Sequence, residues 1–312
     1  MLPFDFNVLL TTVITMFLIV IVGFIARKLG FIDNNGSKFL SNLIICVAQP
    51  FLIVGSITAI PYSPENLKTG GFIMLMSLII HAVAGAIAFL ATFKMKNQDS
   101  RRITEFGLMF ANNGFLGFPI LRSIFGDIGV FWGAFYVIMF NIVTWTYGMF
   151  VLGKVRPEIK INPLRIFLNY GMTPCIIGVT LFLLRVSIPA PVVSVMGYIG
   201  SICTPISLLI VGGLLATVPF KQMFTKLHVY YQCLIKLMAI PLIVLVLCKL
   251  AGMDSQMVLF GTTMAALPSA TNAAMFAERH SLAPDTAAHG VGMTTLLSAF
   301  TIPLVLFLVA LI

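Results

Sequence analysis

Asn112, Asn113, Gly114, Gly117 and Pro119 crowd into "ANNGFLGFP" (111–119), in the middle of a stretch that is otherwise lipid-soluble. A second group, Pro268, Ser269, Thr271 and Asn272, falls in "ALPSATN" (266–272). Proline removes a backbone donor and crowds the preceding turn, so both stretches are places where a helix opens and leaves N–H and C=O groups unpaired. A carboxamide in hydrocarbon is costly unless it is partnered. These side chains are therefore expected to face an internal, partly hydrated cavity; hydrogen bonding between helices is the plainer alternative. A proline alone signals only a kink, and Pro241 and Pro303, with almost entirely apolar neighbours, are read that way.

Other polar residues could line the same cavity. Gln49 precedes Pro50, and Asn141 and Thr144 lie midway along a later apolar segment. His81 is central in its segment; a neutral imidazole bonded to a neighbour is the ordinary reading and a proton-linked role the sharper one. Arg122, one turn past Pro119, could draw anions towards the outer vestibule or simply anchor a helix end at the interface. All ten acidic residues lie in loops or near segment ends, which argues against a titrating carboxylate and against a cationic substrate. An anion is better served, because freed N–H groups at half-helix ends attract carboxylate without a buried basic residue. No nucleophile–base pair or His/Cys/Asp set with ligand spacing appears, so the chain is read as not an enzyme, with no metal or organic cofactor. The five cysteines, all in apolar segments, are small hydrophobic residues on this reading.

The elements that must hold these residues are membrane helices. Of 312 residues 59% are hydrophobic and 9% charged, and the mean hydropathy is +1.05, a composition that a soluble domain does not have. Ten apolar segments of helix-spanning length are expected at 7–26, 39–60, 70–92, 103–122, 129–152, 163–185, 191–216, 229–250, 256–278 and 286–312. The first has its charges, Arg27 and Lys28, after the apolar run and is expected to stay attached as a span. With the N-terminus outside, 14 Lys and Arg fall on cytoplasmic loops and four (Lys68, Arg122, Arg185 and Lys249) on the other side. Both termini are therefore expected outside, and the net charge of +9 reflects topology rather than nucleic acid. Lys236, inside segment eight, is expected to snorkel towards the cytoplasm.

Ten segments suggest two inverted halves, 1–152 and 163–312, joined by a short cytoplasmic linker, 153–162. "AQPF" (48–51) meets "CTPI" (203–206) at an offset of 155, and "GFPIL" (117–121) meets "ALPSA" (266–270) at an offset of 149. The expected fold is an all-α membrane protein of ten transmembrane helices in two inverted five-helix repeats. Its proline-broken helices four and nine would cross near the bilayer midplane, and scaffold and transport domains would each draw on both repeats.

"GFIARKLGFID" (23–33), "NNGFLGFP" (112–119) and "ALPSATNAAMFAERH" (266–280) resemble the auxin efflux carrier family, bacterial members of which carry malonate, malate and similar organic acids. The resemblance implies a carrier of small mono- or dicarboxylates in the bacterial inner membrane, with substrate carboxylate at the crossing near Asn112 or Asn113 and Asn272. It also implies a homodimer formed through a scaffold of spans one, two, six and seven. The direct linker "GKVRPEIKIN" (153–162) replaces the long insertion of plant exporters, which makes a plant hormone an unsuitable substrate. A sodium-coupled, bile-acid-symporter-like carrier is the alternative, an intramembrane enzyme or receptor a remote one. The coupling ion, H+ or Na+, stays open.

Overall fold

The computed structural model describes residues 6–217 and 226–311; Lys221, counted above with the cytoplasmic charges, lies outside them. Among the described residues seven helices are long and apolar enough to cross a membrane. They are α1 (Phe6–Lys28), α2 (Asn34–Ala59), α3 (Pro64–Thr92), α6 (Asp127–Gly153), α9 (Ala190–Thr217), α10 (Leu227–Leu250) and α13 (Pro284–Leu311). Between them lie α4 (Gln98–Met109) and α5 (Phe118–Phe125), then α7 (Pro163–Phe167) and α8 (Met172–Leu183), then α11 (Ser255–Ala266) and α12 (Thr271–Arg279). The chain is all-helical over its described residues, with one isolated bridge, Ala111 with Ser269.

Helix starts follow local chemistry. Asp33, Ser63, Asn97 and Asp254 each accept a backbone N–H from the first turn of α2, α3, α4 and α11. Gly126, at φ +68°, makes the sharp turn from α5 into α6, where a side chain would be strained. Segment six is not the continuous helix expected over 163–185. Asn169 divides it: its Nδ2 donates to Ile166 O at 3.1 Å, and its Oδ1 accepts from Gly171 and Met172 N–H at 3.0 and 2.9 Å. One carboxamide thus closes α7 and opens α8.

Helices α1 and α9 approach until their backbones touch. A Cβ on Gly212 would overlap the Val20 carbonyl and lie 2.7 Å from Phe24 N; one on Gly23 would overlap Leu209 O and lie 2.7 Å from Leu209 Cα. Small residues permit this packing in a bilayer, where lipid offers no hydrophobic drive for helix association. Gly71 on α3, by contrast, has nothing near its missing Cβ. Gly212→Val should lower the thermal stability of the purified protein by about 1–3 kcal/mol or prevent assembly. Gly71→Ala should melt within about 0.5 kcal/mol of wild type. Melting curves of the two variants in one detergent check this.

Candidate functional site at the crossed half-helices

The two interrupted helices meet at their breaks. Asn112 N–H donates to Pro268 O at 2.9 Å and Ala270 N–H to Phe110 O at 3.0 Å, so the two strands of open backbone pair antiparallel. Four helix ends converge there: the carbonyl ends of α4 and α11, and the N–H ends of α12 and of the π-turn Asn113–Gly117 that leads into α5. Ser269 N–H is taken by Thr294 Oγ1 of α13 at 3.2 Å. Ala270 gives α12 no side-chain cap, so its first N–H groups, on Thr271 and Asn272, point to the crossing with no turn before them to receive them.

The breaks do not both fall at a proline: Ala111 of the first pairs with Ser269 of the second. Pro268 lies in its break; Pro119 is the second residue of α5, beyond the π-turn. Prolines 50, 119 and 241 share one local geometry. Each follows a five-residue π-turn (Ile44–Ala48, Asn113–Gly117, Ile235–Ala239), and the residue before each proline donates its N–H five residues back. Widening the turn accommodates a ring that lacks a donor and crowds the carbonyl below it. A fourth π-turn, Thr144–Gly148, has no proline.

Each π-turn carries or adjoins a buried polar side chain: Gln49, Asn113, Thr144 and Lys236. Asn112 spends its Oδ1 on Phe115 N–H, capping the π-turn at 3.2 Å. Both amide atoms of Asn113 are buried without a hydrogen-bond partner, as are Ser269 Oγ, Thr144 Oγ1 and Asn112 Nδ2. A Cβ on Gly114 would lie 3.4 Å from Gln49 Nε2, which sets that amide against the same turn. The structure therefore gathers Gln49, Asn112, Asn113, Gly114, Pro268, Ser269, Thr271 and Asn272 around one crossing.

Three predicted residues sit elsewhere or are otherwise engaged. Asn141 donates to Val137 O on its own helix at 2.9 Å and packs on Gly171, between α7 and α8. Arg122, in the last turn of α5, pairs with Asp127 at 3.3 Å and reaches Ser56 Oγ at 3.5 Å. His81 holds its Nδ1 2.6 Å from Ser77 O, with its ring among Phe110, Tyr136 and Phe140; through Phe110 it touches the break.

Two residues of α10 join the site unforeseen. Gln232 wedges between α4 and α13: a Cβ on Gly290 would lie 2.5 Å from its Oε1, and one on Gly107 would lie 3.2 Å from its Nε2 and 3.7 Å from Ser269 Oγ. Lys236, one turn on, does not snorkel. It is the tenth residue of α10, about 14 Å along the axis from Leu227, it is 1% exposed, and its ammonium donates to Leu108 O, at the carbonyl end of α4, at 3.1 Å. The i, i+4 spacing of Gln232 and Lys236 on one helix face was the available signal, obscured because Pro241 looked like a plain kink. Glu105, expected near a segment end, is also buried in α4, where Arg102 neutralises it at 2.7 Å.

The fold and site define a multi-pass membrane protein with open backbone at its centre, an arrangement tolerated in a bilayer where it is enclosed by protein or lines a cavity. A family model described as "Membrane transport protein" matches residues 8–306. The chain belongs to that family of transporters, the auxin efflux carrier group that its motifs resemble. A Rhizobium meliloti protein named "putative malonate transporter" is 23% identical over 308 residues, covering 95% of this chain and 94% of that one. An uncharacterised transporter of Methanocaldococcus jannaschii is 26% identical over 68% of each chain. One of Methanothermobacter thermautotrophicus is 30% identical over 40% of this chain and 41% of its own.

Asn112 and Asn113 should separate in their effect on stability. Asn112→Ala removes a cap and should cost about 1–2 kcal/mol. Asn113→Leu replaces two unpaired buried atoms with an apolar side chain of similar volume and should be neutral or stabilising. Equal destabilisation by both, measured by thermal melting, would show that Asn113 has a structural partner.

Proposed function

We propose that the chain is a secondary-active or facilitative carrier of small organic anions, mono- or dicarboxylates, that binds substrate at the crossing and works by alternating access. The observation that carries this reading is the uncapped N–H end of α12 opposed to a π-turn whose Asn113 carboxamide is buried with no partner. Helix N-termini attract carboxylate, Asn113 and Ser269 add donors, and the buried Lys236 Nζ adds a basic donor beside the same break. The name of the Rhizobium meliloti relative points to the same chemical class.

On this reading each interrupted pair, α4 with α5 and α11 with α12, is one membrane crossing, and so is α7 with α8, giving ten. The halves 1–152 and 163–312 are inverted repeats joined by 153–162, with both termini outside a bacterial inner membrane and a homodimer formed through the scaffold helices. Asn113, both of whose amide atoms are unpartnered, is the main contact to substrate; Asn112, whose Oδ1 is spent on its cap, has only its Nδ2 to offer.

The test is counterflow in proteoliposomes loaded with malonate, malate, oxalate or lactate. Wild type should accumulate at least one labelled anion, and Asn113→Leu and Asn272→Ala should reduce that by tenfold or more while remaining folded. Exchange of cations or neutral solutes alone would overturn the anion reading, and normal uptake by both variants would remove the crossing from consideration.

A further inference from the structure

The carbonyl end of α4 presents a problem that the bilayer does not solve. The helix stops at Met109, so its last carbonyls have no following turn, and no water reaches them from lipid. Phe106 O is taken by Phe110 N–H and Phe110 O by Ala270 N–H, both backbone donors. Leu108 O is taken by Lys236, a cation that reaches across from α10. In carriers built on broken helices, such carbonyl ends are where a coupling cation is held.

The surroundings of Lys236 are those of a bound cation rather than of an ion pair. Among the described residues no carboxylate lies within ion-pair distance of it; the ion pairs found are Arg102–Glu105, Arg122–Asp127 and Arg156–Asp99. Glu105, on the same half-helix, is engaged by Arg102. His81, on α3, lies within coulombic range. The π-turn before Pro241 carries Lys236, and α10 packs there on α4, α11 and α13. One of the three ammonium donors is spent on Leu108 O. A buried cation without a counter-ion is expensive to keep, and its carbonyl partner, Leu108 O, lies at the end of the half-helix that opens into the proposed anion site.

We propose that Lys236 is a tethered stand-in for a coupling cation: its ammonium occupies the carbonyl end of α4 permanently, so that the crossing binds an organic anion without sodium. This rests on the anion-carrier reading above and removes sodium from the coupling question which that reading leaves open. The positive charge travels with the protein, the site is competent in sodium-free medium, and removing the charge re-creates a place where an alkali cation can act.

Malonate counterflow and thermal melting, each measured in sodium chloride and in choline chloride at equal ionic strength, test this on wild type, Lys236→Gln and Lys236→Arg. Wild-type counterflow should stay within twofold when choline replaces sodium, and its melting temperature should not respond to sodium. Lys236→Gln should lose tenfold or more in choline and recover part of it in sodium, with a sodium-dependent rise in melting temperature; Lys236→Arg, which keeps the charge, should retain more activity than Lys236→Gln in choline. A sodium requirement in wild type, wild-type exchange by Lys236→Gln in choline, or a loss that sodium does not relieve would each overturn the stand-in. If Lys236→Gln fails to fold, the wild-type sodium titration decides alone. A wild type that exchanges no carboxylate in either salt overturns the anion reading itself, whereas its melting response to sodium still reports on Lys236.

Discussion

Two backbone hydrogen bonds at the crossing, Asn112 N–H to Pro268 O and Ala270 N–H to Phe110 O, are the constraint around which the rest of the molecule is organised. Open backbone inside a membrane is tolerated only when its polar groups find partners within the protein. Pairing the two breaks with each other satisfies one donor and one acceptor of each. What is left over then dictates the side chains nearby. Thr294 takes Ser269 N–H, Asn112 caps its own π-turn, and Lys236 takes Leu108 O. The groups that this arrangement leaves unpartnered, chiefly the Asn113 carboxamide and Ser269 Oγ, are the ones available to a ligand.

The π-turns extend the same logic outwards. A proline in a helix strands a carbonyl, and a single widened turn relieves the crowding while rotating the residues beyond it. In this chain the widened turns at Ile44–Ala48, Asn113–Gly117 and Ile235–Ala239 bring Gln49, Asn113 and Lys236 into the interior. Proline placement and the polar lining are thus one design feature. The close α1–α9 contact at Gly23 and Gly212 shows the opposite treatment, two helical stretches locked by absent side chains.

The sequence made the membrane class and the two breaks legible, because apolar runs and clustered amides with proline are strong local signals. It puts Gln49, Asn113, Ser269 and Asn272 forward as candidates for one locale, and the fold brings them to the same crossing. It could not give the register of the crossing, since Pro119 is the more conspicuous residue yet the break falls seven residues earlier, at Asn112. Nor could it reveal Lys236. Whether a long side chain snorkels or turns inward depends on which face of α10 meets α4, and a π-turn shifts that face by a fraction of a turn that hydropathy does not register. Asn169 was missed for a related reason: a single carboxamide that bonds both to the turn before it and to the turn after it divides a helix with almost no change in composition.

The central claim is that the open backbone at 110–114 and 267–272 is the substrate site. Amide hydrogen exchange of the protein in lipid nanodiscs, with and without saturating transported anion, tests it directly. The account predicts that added anion slows exchange at Gly114, Thr271 and Asn272 above all other positions. Protection confined to the groove of about 540 Å³ between α2 and α8, lined by Cys46, Pro50, Asn169 and Thr173, would contradict it.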